Sequence, residues 1–162
     1  PGAAIAVVDA DHFKTINDTY GHGAGDAVLV ALCDYLSREL PQGAIVGRLG
    51  GEEFGVYLPA DLVLDRPHLL EELRRGVSLI TIDHQPPLPM VTVSIGAASL
   101  PAGPLDFSRA LARADKALYA SKKAGRNCVT WAALENGRGD RPIAEASNTT
   151  GVAASTATRS AA

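Results

Sequence analysis

Three acidic places in the sequence could do chemistry. Asp9-Ala10-Asp11 ends a short apolar run. Glu52-Glu53 follows a Gly-Gly pair, and Asp26 heads a stretch of helical periodicity. Carboxylates brought together repel one another unless a cation lies between them. All-oxygen ligands favour a hard ion such as Mg²⁺. A strand end and a hairpin tip are places where a sheet can bring acids together, and glycines there let a ligand approach the backbone closely. Taken singly, the same acids also read as helix caps and hairpin-tip charges. The basic counterpart is Lys122-Lys123-Ala124-Gly125-Arg126. If the helix continues, Lys122 and Arg126 share a face and suit phosphate oxygens. The alternative is a basic last turn that complements the helix dipole and ends at a glycine cap. Asn17 and Asp26 could read a base edge, since a carboxylate accepts the paired N1–H and N2–H donors of guanine. Alternatively, Asp26 is a plain N-cap and Asn17 makes a local turn bond.

The elements that must position these residues follow from periodicity. Ala3–Asp9 reads as a buried strand and Asp11–Thr19 as a short helix. Gly21, Gly23 and Gly25 break the chain. Asp26 then caps a helix carrying Val28, Leu29, Leu32, Leu36 and Leu40. Ala44–Leu49 and Glu53–Leu58 are strands around a Gly50–Gly51 turn, a hairpin. Asp65 to about Ile80 reads as one helix, Met90–Ala98 as a strand, and Pro101–Pro104 as a turn. Asp106–Lys123 is a helix and Asn127–Trp131 a last strand. A hairpin within this β-α-α-β-β-α-β-α-β order argues for an α+β fold, a central mixed or antiparallel sheet flanked by helices.

Composition bounds the rest. The chain has 162 residues, 46% apolar and 20% charged, which suits one globular domain. Fifteen basic against eighteen acidic residues leave a net charge of −3, so no nucleic-acid partner is indicated. The longest apolar runs are too short for a membrane span, so this segment is expected to make no membrane contact. There is no signal-peptide pattern. Cys33 and Cys128 match no metal spacing and read as reduced, buried thiols in a cytoplasmic protein. Residues 1–131 are expected to form the domain. Residues 132–162 are expected to be a disordered tail, because Ala, Ser, Thr and Gly supply 19 of those 31 positions. A chain that opens at Pro1 reads as a fragment of a longer one. EF-hand, P-loop, HExxH and GxSxG patterns all fail, and the four histidines lack metal spacing.

Together these blocks resemble the GGDEF domain. The front block is Asp9-Ala10-Asp11-His12-Phe13-Lys14, Ile16-Asn17-Asp18, Gly21-His22 and Gly25-Asp26. Arg48-Leu49-Gly50-Gly51-Glu52-Glu53-Phe54 is similar to the name motif in its GGEEF form. Val91–Gly96, then Ala114-Asp115, Ala117-Leu118-Tyr119, Lys122 and Gly125-Arg126-Asn127, resemble later blocks. The resemblance implies a palm-like (ferredoxin-like) fold and a diguanylate cyclase, which condenses two GTP into cyclic di-GMP and two pyrophosphates. It implies Mg²⁺ (or Mn²⁺) held by Asp9, the Ala10 carbonyl and Glu52, with Glu53 binding a second metal ion or helping to deprotonate the attacking 3′-hydroxyl. It assigns guanine to Asn17 and Asp26, and the outer phosphates to Lys122 and Arg126. Backbone N–H groups at His12–Phe13 face the phosphates, and Lys14 sits near the α-phosphate. A homodimer of such domains, controlled by an upstream sensor or regulatory domain, is also implied.

Two departures stand out. The RxxD product-inhibition site would begin at Pro41, where the chain reads Pro41-Gln42-Gly43-Ala44. The helix and DxLTGLxNRR-like stretch that usually precede the first strand are missing, which predicts a less stable and weakly active fragment. Ser121 stands where alanine is usual, read as a minor change. The competing readings are a non-catalytic GTP-binding regulatory or interaction module, and a cyclase making an adenine-containing dinucleotide. The whole name motif opposes the first and Asp26 the second.

Overall fold

The computed structural model describes residues 2–100 and 106–133. The elements are β1 (Ala4–Ala10), α1 (Phe13–Tyr20), α2 (His22–Glu39), β2 (Ile45–Gly50), β3 (Glu53–Leu58), α3 (Ala60–Asp65), α4 (Leu69–Val77), β4 (Val93–Ser99), α5 (Phe107–Lys123) and β5 (Val129–Trp131). The five strands form one sheet in the order β2-β3-β1-β4-β5. All neighbours are antiparallel except β4–β5, which are parallel. The expected mixed α+β sheet is thus the observed one.

β1 runs through the middle of the sheet and is buried along its whole length. Its side chains alternate between two layers, as strand geometry requires. Ala4, Ala6, Val8 and Ala10 join the larger core with α2 and α4. Ile5 and Val7 join the smaller core beneath α5, with Ala110, Ala114 and Leu118. Asp9 has the same parity as Ile5 and Val7, so the strand presents it to the α5 side. Gly96 of β4 lets α5 lie close: a β-carbon there would fall 2.0 Å from the Leu118 nitrogen.

Several expectations are corrected. The helix expected from Asp65 to Ile80 is shorter, only α4, and α3 precedes it at Ala60–Asp65, where no helix was expected. Pro67 has no N–H and would clash inside a helix, and it disfavours the helical conformation at Arg66, which sits at φ −128°, ψ 62°. Asp26 is not an N-cap: α2 begins at His22 with Gly21 as its cap, placing Asp26 inside the helix. β4 starts three residues later than expected, because pairing with β1 begins at Val93. β2 extends to Gly50, which moves the hairpin turn to Gly51 and Glu52. Cys33 is exposed and Cys128 half-buried, and both are free thiols. The Pro101–Pro104 turn lies outside the described residues. So do residues 134–162 of the expected tail. Its first two residues are tied to the domain, since Ala132 N–H donates to the Ala97 carbonyl (2.7 Å) and the Ala133 carbonyl accepts from Arg113 (2.7 Å). Among the described residues, no helix is long and apolar enough to cross a membrane.

Candidate active site

The acids meet where β1 leaves the sheet. Asp9 lies directly opposite Glu53 in the β1–β3 register. Directly paired residues share a face, with β-carbons about 5 Å apart. Glu52 occupies the turn of the β2–β3 hairpin, and its carbonyl accepts a hydrogen bond from Ala10 N–H (3.3 Å). Gly51 takes a positive φ of 49°, and its carbonyl accepts from Arg48 Nε (2.9 Å). Sheet register therefore joins two acidic segments more than forty residues apart in sequence.

Lys122, from the last turn of α5, donates to Asp9 Oδ2 at 2.7 Å. Burial pushes the Asp9 carboxyl above its ordinary value of 3.8. The hydrogen bond and charge of Lys122 pull it down, while Glu52 and Glu53 push it up. Three carboxylates thus share a small region in which this lysine is the cation bonded to Asp9. Among the described residues, no three Asp, Glu, His or Cys side chains already form a cage. A hard divalent ion does not need one, since Mg²⁺ takes one or two carboxylates and completes its shell with water and substrate phosphates. Asp9, Glu52 and Glu53, with the Ala10 carbonyl, supply a donor set of that kind.

Asp11 has a different job, which residue types alone did not reveal. It is buried and accepts from Ser94 Oγ (2.6 Å), Thr92 Oγ1 (2.7 Å) and Asn127 N–H (3.0 Å). It anchors the β1 exit to β4 and to the turn after α5. That turn is left-handed, with Gly125, Arg126 and Asn127 at φ 112°, 65° and 47°. α5 ends at Lys123, and the Arg126 N–H closes its end on the Ser121 carbonyl (3.0 Å). Lys122 and Arg126 therefore do not share a helical face as expected: glycine at the C-terminus reverses the chain between them. Ser121 is more than a minor change. Its buried hydroxyl donates to the Ile95 carbonyl (2.8 Å) and shares a hydrogen bond with Thr130 Oγ1 (2.7 Å), tying α5 to β4 and β5.

His12 stands at the head of α1 in left-handed conformation, φ 56°. No side chain caps this helix end. The first N–H groups from Phe13 onward thus lack intrahelical partners and can receive an anion. Asn17 and Asp26 are brought together by Gly25. The Asn17 side chain lies against Gly25 so closely that a β-carbon there would sit 2.0 Å from its Oδ1, with Phe13 Cζ at 3.0 Å. Asn17 Oδ1 is buried without a partner, so the local turn bond is not made. Asp26, the next residue after Gly25, is exposed. Gly25 read in sequence as a chain break, but it sits inside α2 and seats Asn17. Lys14 is not brought to the acids, since its ammonium pairs with Asp18 on the surface (2.6 Å).

A central strand and a hairpin that offer carboxylates at one sheet end, flanked by helices, define a palm-like α+β fold. The family model described as diguanylate cyclase, GGDEF domain, matches residues 2–128, and the chain belongs to that family. It is 39% identical over 127 residues to the probable diguanylate cyclase DgcF of Escherichia coli, covering 76% of this chain and 40% of that one. To the diguanylate cyclase DgcP of Pseudomonas aeruginosa it is 40% identical over 126 residues, covering 76% and 18%. The crystal structure of the GGDEF domain of DgcB from Caulobacter crescentus in complex with c-di-GMP superposes with a TM-score of 0.70 at 40% identity, covering 80% of this chain and 77% of that one. The active GGEEF domain of a Vibrio cholerae diguanylate cyclase gives a TM-score of 0.72 at 32% identity, covering 82% and 84%. The chain spans 40% or less of the length of these two curated relatives.

Proposed function

We propose that this chain is a diguanylate cyclase module that condenses two GTP into cyclic di-GMP with release of two pyrophosphates. The observation that carries the reading is the facing of Asp9 and Glu53 across β1 and β3, with Lys122 bonded to Asp9. Asp9, Glu52, Glu53 and the Ala10 carbonyl hold Mg²⁺ (or Mn²⁺). When bound, the metal activates the attacking 3′-hydroxyl and offsets charge on the leaving pyrophosphate. Glu53 also takes the hydroxyl proton. Asp26 accepts from guanine N1–H and N2–H, and Asn17 donates its amide to another acceptor on the base. The uncapped head of α1 at His12–Phe13 receives phosphate oxygens, and Lys122 and Arg126 hold the outer phosphates. Lys14 reaches the α-phosphate only by leaving Asp18, an exposed pairing that costs little to break. Most of the acceleration then comes from positioning and electrostatics.

One domain binds one GTP, so the reaction requires two domains with substrates facing each other. A homodimer meets that stoichiometry, and in this reading an upstream sensor or regulatory domain brings the pair together in the cytoplasm. At Pro41–Ala44 the chain makes a tight turn closed by Ala44 N–H on the Pro41 carbonyl (3.1 Å). It offers no arginine or aspartate there, so product should not inhibit through this turn. Titrating cyclic di-GMP into a turnover assay checks this, and tight product binding near Pro41–Ala44 would contradict it.

The deciding experiment incubates the protein, dimerised through an attached coiled coil, with GTP and Mg²⁺. Nucleotides are resolved by anion exchange, with Glu53→Gln as control. Cyclic di-GMP from the parent and none from the control is the expected result. GTP binding without product in a confirmed dimer would replace the cyclase with a GTP-binding regulatory module.

A further inference from the structure

Arg74 lies on α4, and none of the roles above uses it. Its side chain is 15% exposed and forms an ion pair with Glu71, Nε to Oε2 2.8 Å. Its Nη1 donates to Asn127 Oδ1 at 2.6 Å, a contact between residues 53 apart. Asn127 follows Arg126, and both have left-handed backbones, φ 47° and 65°. Non-glycine residues rarely adopt that conformation, so something must hold it. On the backbone side, the Asn127 N–H is bound by Asp11, two residues beyond Asp9. On the side-chain side, the Asn127 amide oxygen is bound by Arg74. The turn is therefore gripped between the β1 exit and α4, with Glu71 keeping the guanidinium aimed.

We propose that Arg74 is a positioning residue: through the Asn127 side chain it fixes the left-handed Arg126–Asn127 turn, and so places Arg126 beside Lys122 for the triphosphate. This rests on the reading of Lys122 and Arg126 as the phosphate clamp. A positioning role acts on the phosphate part of the ligand and leaves the base site at Asn17 and Asp26 untouched. Asn127 is exposed, so severing its contact with Arg74 should change global stability little.

The test is calorimetric titration with two probes, guanosine and a GTP analogue with a non-cleavable α–β bridge, the latter with Mg²⁺. The variants are Arg74→Ala, Arg74→Lys and Asn127→Gly. Glycine tolerates the positive φ and keeps the N–H that Asp11 binds. Arg74→Ala and Asn127→Gly should weaken the triphosphate analogue about tenfold, the size of one lost hydrogen bond to a charged group. Guanosine affinity should stay the same. Arg74→Lys should recover most of the loss, because an ammonium can still donate to Asn127 Oδ1. Equal weakening of both probes, unchanged analogue affinity, or no recovery with lysine would overturn the proposal. If the unsubstituted protein binds the analogue no more tightly than guanosine, the clamp reading fails and the proposal falls with it. That failure is visible before any variant is made.

Discussion

The two halves of the acidic centre are built differently. At the β1 exit, Asp9 and Asp11 are buried and hydrogen-bonded, Asp9 by Lys122, and Asp11 by Ser94, Thr92 and Asn127. At the hairpin tip, Glu52 and Glu53 are half-exposed, and the turn is steadied by Arg48 on the Gly51 carbonyl. One side is a buried, latched mount and the other a more exposed arm. Preorganised charge on a fixed strand can hold a cation in place, while the glycines beside the exposed acids let a ligand approach the backbone closely. The contrast also separates roles within one short motif: of the acids in Asp9-Ala10-Asp11, one faces the site and the other secures the frame.

The largest expected effect falls on the arm. Glu53→Gln should lower cyclic di-GMP formation by about 10³-fold, the scale of a lost proton acceptor and metal ligand. Its melting temperature should hardly move, because the side chain is half-exposed and the change is nearly isosteric. A large loss of stability would mean that the tip is part of the frame after all. The mount should behave in the opposite way. Asp11→Ala leaves two hydroxyls and a backbone N–H without their acceptor, and should cost about 3 kcal/mol of unfolding free energy in denaturant titrations. A stable Asp11→Ala protein would show that the β1 exit is no more latched than the hairpin.

Gly25→Ala sharpens the comparison on the base side. Alanine is the better helix residue by about 1 kcal/mol, so propensity alone predicts a more stable α2. The new methyl would displace Asn17, however, and KM for GTP should rise about tenfold, the scale of one misplaced hydrogen-bonding partner. An unchanged KM would remove Asn17 from base recognition.

The smallest effect is on stability at Asp9. Its folded pKa is raised mainly by burial. Between the ordinary value of 3.8 and the raised value, the folded state binds more protons than the unfolded one, so stability falls as pH rises through that window. Asp9→Asn removes the buried charge. In metal-free protein at neutral pH it should melt slightly higher than the parent, while losing activity and the stabilisation that added Mg²⁺ confers on the parent. A lower melting temperature would show that the Lys122 bond outweighs the desolvation of Asp9.

Much of this molecule follows from short-range chemistry. Glu53–Leu58 alternates strictly enough that its strand bounds are those read from sequence, and Asp106 caps α5 by accepting from Arg109 N–H as an N-terminal aspartate should. The continuous apolar run of β1, the hairpin at two glycines and the apolar stripe of α5 depend on residues within a few positions of one another. The residue types of the site were legible for the same reason, because a hard cation and phosphates call for clustered carboxylates and a nearby basic turn. Tertiary structure decided which acid does which job. Asp9 and Asp11 are alike locally, and only the arrival of Lys122, 113 residues away, and of Ser94, 83 residues from Asp11, tells them apart. Gly25 looks like a helix breaker until α1 packs Asn17 against it, and Arg74 looks like a surface charge until the turn after α5 reaches it. Sequence sets which groups are available and how each segment alternates. Non-local register and packing, which depend on every other element, set which of those groups meet.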